Sequence, residues 1–131
     1  MTRKSHITIG CLVSYLLFTY GFNLIWCVIG IVGSTFPDID LKIGIKHRTI
    51  THSLLALFLT TLPLFVFNED LGIVFFFNFV SHLVADSCTK MGVPLFYPYP
   101  KKYGLRFIKT GSSLEYLSIV ILILFLFIIK G

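Results

Sequence analysis

The hydrophobic positions of this chain come in unbroken runs rather than as one face of a repeating pattern. From Ser5 to Pro37 no Asp, Glu, Lys or Arg interrupts the sequence, and as one straight helix that run would be roughly 50 Å long against a hydrocarbon core of about 30 Å. Gly21-Phe22-Asn23 is the natural break, which predicts a first helix over about residues 6–20 and a shorter, glycine-punctuated second one over 23–35. Residues 38–48 are polar. A third apolar run covers 50–67 and closes at Asn68-Glu69-Asp70, a fourth covers 71–88, and a last one covers 114–129. Between the last two, residues 89–111 form a loop carrying Pro94, Pro98 and Pro100 among aromatic and basic residues. The pattern predicts an all-α fold, a polytopic integral membrane bundle of about five short helices in one domain over 1–131. The second helix either crosses or re-enters.

Composition agrees with the runs. Hydrophobic residues make up 56% and charged residues only 13%, where a soluble domain carries roughly 45–50% and 25%. Disorder and a secreted disulfide scaffold are excluded. Cys11, Cys27 and Cys88 are an odd set without CxxC spacing, so reduced thiols are expected. Thr2-Arg3-Lys4 before an apolar run imitates a signal peptide, but no small-residue cleavage site ends a short apolar core, and the run is read as mature membrane sequence.

The net charge of +5 would suggest nucleic acid in a soluble chain. Here the positive-inside rule explains it. With five helices and a cytoplasmic N-terminus, Arg3, Lys4, Lys42, Lys46, Arg48, Lys90, Lys101, Lys102, Arg106 and Lys109 all fall inside, leaving only Lys130 outside, while the outer hairpin carries Glu69 and Asp70. A bacterial-type cytoplasmic (inner) membrane, multi-pass, with no nucleic-acid partner, is the expectation. Five short helices also leave room for a homo-oligomer that closes the core.

The same topology gathers the candidate chemistry. All four histidines, and four of the six acids, fall at the cytoplasmic end. His6 opens the first helix, Asp38 and Asp40 follow the second, and His47 and His52 lead into the third. His82 and Asp86 lie one turn apart near the end of the fourth, and Glu115 opens the last. Ionisable groups at membrane depth cost several kcal/mol each unless paired or bound to metal, so eight of them on one side point to a site. Each also has an ordinary reading: Asp38 and Asp40 as a helix cap, His82 with Asp86 as an interhelical pair, His6 as an interfacial residue, His47 as part of a basic patch, Glu115 as a partner of a helix dipole. None of these explains why the residues coincide.

Imidazole and carboxylate together suit a divalent transition metal such as zinc or manganese. Eight candidate ligands exceed a single tetrahedral ion, so two ions are expected, with one ion and an outer layer as the alternative. Asp38, Asp86, Glu115 and Arg48 are the expected catalytic residues. Arg48, Lys101, Lys102, Arg106 and Lys109 are the expected phosphate holders.

Phe36-Pro37-Asp38-Ile39-Asp40, His47-Arg48-Thr49-Ile50-Thr51-His52-Ser53, Ser81-His82-Leu83-Val84-Ala85-Asp86 and Gly92-Val93-Pro94-Leu95-Phe96-Tyr97-Pro98 resemble, in order, the signatures of the YdjM-type family of LexA-regulated, inner-membrane, metal-dependent hydrolases. The resemblance runs from His6 to Glu115. It implies His6 with Gly10, Asp38, Asp40, His47, His52, His82, Asp86 and Glu115 as the metal-site positions. The HxxxD spacing of His82 and Asp86 is also similar to zinc-dependent phospholipase C and P1-type nucleases, a distant likeness that favours a phosphoester. The chain departs from the family in a short connection between Asp40 and His47 and in the segment Gly111 to Glu115. The combined expectation is a hydrolase acting on a membrane phospholipid or lipid-linked phosphoester at the cytoplasmic leaflet. An ion-binding transporter and a non-catalytic membrane adaptor are the rival readings.

Overall fold

The computed structural model describes residues 1–46 and 48–130. Its elements in chain order are α1 (Arg3–Thr19), α2 (Leu24–Gly30), two 3-10 turns (Ile31–Ser34 and Phe36–Ile39), α3 (Asp40–Ile43), a 3-10 turn (Ile50–His52), α4 (Leu54–Phe67), α5 (Glu69–Ser87) and α6 (Ser113–Lys130). The starts are written in the sequence. Thr2, Asn23, Ser53 and Asn68 each cap the helix that follows, a side-chain oxygen accepting an amide of the first turn. Asn23 thereby fixes the break in the first apolar run.

α5 is the hub. It packs against α1, α2, the first 3-10 turn and α4, and its buried face runs from Leu71 through Phe75, Asn78, Phe79 and His82 to Asp86. Leu57 of α4 joins Phe75, Phe79 and Leu83 in the apolar core, with Phe36 and Leu54 against it. Close approach of the 3-10 stretch to α5 depends on Gly33, where an added Cβ would stand 2.7 Å from the Phe75 carbonyl oxygen. α6 lies along α1, and most of its surface faces outward.

Among the described residues two helices, α5 and α6, are long and apolar enough to cross a membrane. The bent pair Leu24–Ser34 and Phe36–Ile43, with a 50° angle between its halves, makes a third if counted as one span. α4 is apolar but shorter. The second apolar run does not continue as the single helix expected to residue 35: it tightens into 3-10 turns from Ile31 and bends. That bend carries Asp38 toward the end of α5.

Candidate metal centre

α5 places His82 and Asp86 on one face, one turn apart. The 3-10 turn Phe36–Ile39 brings Asp38 to them, and the turn Ile50–His52 brings His52. One ligand atom from each of Asp38, His52, His82 and Asp86 lies within 4.8 Å of all the others.

Five of the six separations are individually defined. His52 Nε2 is 3.1 Å from His82 Nε2, 3.4 Å from Asp38 Oδ1 and 3.2 Å from Asp86 Oδ2. His82 Nε2 is 3.5 Å from Asp38 Oδ1 and 3.3 Å from Asp86 Oδ2. Four ligands at zinc distances of about 2.0–2.1 Å in a tetrahedron stand about 3.3–3.4 Å apart. Those five separations therefore match the spacing of a first-row ion's ligand shell. Asp86 Oδ2 is buried beside two imidazole nitrogens yet makes no hydrogen bond. The donor set and that orphaned carboxylate oxygen both fit a bound cation.

A second layer orients the first. The His82 Nδ1 atom lies 2.6 Å from the Ser34 carbonyl; donation there leaves the Nε2 lone pair facing the group. His52 Nδ1 lies 3.5 Å from Asp40 Oδ2 and 3.2 Å from Thr51 Oγ1. Asp40 is itself held by the Arg48 amide at 3.1 Å and the Thr51 hydroxyl at 2.8 Å. Carboxylate behind imidazole is the usual outer partnership of metal-ligating histidine. Burial disfavours charge on His52, but the adjoining Asp38 and Asp86 carboxylates outweigh it and hold its pKa above the ordinary imidazole value.

The other expected residues are distributed around this group. His6 stacks on His82 with ring centroids 3.7 Å apart, and its Nε2 is 3.1 Å from Asp86 Oδ1. That same oxygen accepts from the Met1 amino group and, at 3.0 Å, from Arg48 Nη2. Asp40 lies behind His52, as described. His47 lies outside the described residues. Glu115 is fully buried but stands apart from the four-residue group. Its carboxylate accepts from the Thr2 amide at 2.7 Å, the Thr2 hydroxyl at 2.9 Å, the Ser5 hydroxyl and the Gly111 amide at 2.7 Å. It ties the start of α6 to the start of α1.

Of the expected phosphate holders, Arg48 reaches the group. Arg48 is buried, with φ at +57°, and its guanidinium is committed to Asp86, to the Thr89 hydroxyl at 2.7 Å and to the Gly92 carbonyl at 3.2 Å. It fastens the loop after α5 to the site instead of facing open space. Lys101 sits over the Tyr103 ring and Arg106 donates to the Lys102 carbonyl, while Lys109 is exposed. A cavity of about 330 Å³ instead opens beside Asp38, and Arg3 and Lys42 are the basic side chains on its wall. Sequence reasoning counted those two only as cytoplasmic positive charge. Their positions in the first helical turn and just after the PDxD motif were the available signal.

A helical chain with apolar spans and a buried His and Asp group at one end of the bundle defines a membrane protein with a candidate metal centre. The chain belongs to a family described as YdjM inner membrane protein, whose model matches residues 1–130. It is similar to "Uncharacterized protein YvsG" of Bacillus subtilis (strain 168), at 32% identity over 142 residues, covering 89% of this chain and 86% of that protein. No solved structure matches the chain.

Proposed function

We propose that this protein is a membrane-embedded, metal-dependent hydrolase of a phospholipid or lipid-linked phosphoester at the cytoplasmic leaflet. The observation that carries the reading is the four-residue group, with ligand atoms within 4.8 Å of one another and an oriented second layer, open on one side to a cavity with basic walls. Asp38, His52, His82 and Asp86 would hold a single divalent transition ion, zinc or manganese by donor type. His6, Asp40 and Arg48 form the outer layer in place of a second ion. Bound there, the ion would supply Lewis acidity, and would acidify a water toward a pKa of about 7 once Asp38, the ligand at the cavity, yields its place in the four-coordinate shell.

The chain's own residues do the rest. Asp38 has 16% of its side chain exposed where His52, His82 and Asp86 have 1% or less. It is therefore the carboxylate placed to take a proton from water arriving through the cavity. Asp40, through His52, fixes imidazole orientation, and Arg48 holds Asp86 in place. The deep position of the other three keeps bulk water from their ligand atoms. The excess of basic residues on the loops at this end favours the cytoplasmic side for the site.

The test is the Asp86→Ala variant in full-length, detergent-purified protein assayed on phospholipid and polyprenyl phosphate substrates. The expected result is metal-dependent release of phosphate or headgroup by wild type. The variant should insert into membranes normally but retain neither metal nor turnover. Turnover that persists at wild-type rate in the variant refutes the reading, as would metal-dependent ion flux in proteoliposomes without hydrolysis.

A further inference from the structure

The one edge of the metal group that reaches open space is Asp38, and it forms part of the wall of the 330 Å³ cavity. Arg3 enters that wall from the first turn of α1 and Lys42 from α3, both exposed. Among the described residues no ion pair joins either to a carboxylate. The rest of the wall includes Val32, Phe36 and Ile39. Two cations, a carboxylate of the metal group and an apolar strip thus share one small space.

We propose that this cavity is the subsite for a lipid phosphomonoester with a small head. Arg3 and Lys42 hold the phosphate, and Val32, Phe36 and Ile39 form the wall along which the start of the chain lies. The identification deepens the hydrolase reading, resting on it for the reaction and, for the binding, only on the ion that offsets Asp38. A phosphomonoester carries about −1.5 to −2 charge near neutral pH, whereas a diester carries one; with the Asp38 carboxylate offset by a bound ion, Arg3 and Lys42 match the monoester. A volume near the lower end of the roughly 300–1,000 Å³ typical of ligand pockets suits a phosphate with a few carbons better than a sugar or nucleotide head. Arg brings a planar fork and Lys a mobile point charge, a pairing that fixes one phosphate face while following the other.

The experiment is native mass spectrometry of the detergent-purified full chain with four probes: dioleoyl phosphatidate, dioleoylglycerol, glycerol 3-phosphate and inorganic phosphate. Wild type is compared with R3Q/K42Q and with K101Q/K102Q, which removes the same charge from the loop after α5. Metal content is measured on each. Phosphatidate should bind wild type and K101Q/K102Q alike, and R3Q/K42Q about tenfold or more weaker, the scale of losing charge-assisted hydrogen bonds. Metal content should be equal in all three, and dioleoylglycerol should not distinguish them. Equal weakening in both double variants, or none in either, overturns the subsite. Glycerol 3-phosphate or inorganic phosphate binding as tightly as phosphatidate overturns its lipid character. Phosphatidate that binds through Arg3 and Lys42 but is never hydrolysed supports the subsite and counts against the hydrolase reading. Hydrolysis that R3Q/K42Q leaves untouched does the reverse.

Discussion

Asp40→Asn isolates the second layer of the site, because it removes one charge and almost no volume. Asp40 Oδ2 accepts from the Arg48 amide at 3.1 Å and the Thr51 hydroxyl at 2.8 Å, and an asparagine carbonyl oxygen can keep both. What it cannot keep is negative charge 3.5 Å from His52 Nδ1. That charge raises the basicity of the opposite nitrogen, the one 3.1–3.4 Å from the other three ligand atoms. Loss of such an outer carboxylate costs about 10–100-fold in metal affinity, or about 1.4–2.7 kcal/mol. Competition against a chromophoric chelator in detergent measures it, with circular dichroism confirming unchanged helix content. An affinity within twofold of wild type would show that Asp40 is a turn residue and does not tune His52.

Two further outcomes follow from the same geometry. Glu115→Gln should leave metal content intact but weaken the junction of α1 and α6 by about 1.5–3 kcal/mol, the cost of changing a buried carboxylate that four donors reach; chemical denaturation paired with metal analysis reads both quantities, and loss of metal would move Glu115 into the ligand shell. Metal affinity should rise with pH through the imidazole range, because His52, whose pKa is held above its ordinary value, must shed its proton to bind an ion and below that pKa the proton competes; a pH-independent affinity between pH 5 and about 8 would contradict imidazole ligation.

Most of the helix layout was legible in the chain. The break at Gly21 to Asn23 falls between α1, ending at Thr19, and α2, starting at Leu24, because Asn23 is a cap as well as a turn residue. The hairpin at Asn68 is likewise both a polar interruption and a cap. The bend after Gly30 was not legible, since glycine punctuation is compatible with a straight helix and only packing of Gly33 against α5 selects the tighter turn.

The site was legible as an end of the bundle, not as a centre. Helix phase and topology put His6, Asp38, Asp40, His52, His82, Asp86 and Glu115 at one level, but they cannot separate residues that share a level from atoms that share an ion. Glu115 and Asp40 show the difference: both are acids at that level, one tying two helix starts together, the other standing behind a histidine. Arg48 is expected as a phosphate holder because charge is visible in sequence, whereas its left-handed backbone and its bonds to Thr89 and Gly92 are tertiary facts.

The central claim is that Asp38, His52, His82 and Asp86 form one metal centre. Elemental analysis of detergent-purified wild type beside a His82→Ala and Asp86→Ala double variant tests it most directly. The account predicts about one zinc or manganese ion per chain in wild type and none in the variant, with both proteins retained in the membrane fraction. Wild-type protein that binds no ion after reconstitution with zinc and manganese, or a variant that keeps its ion, would contradict it.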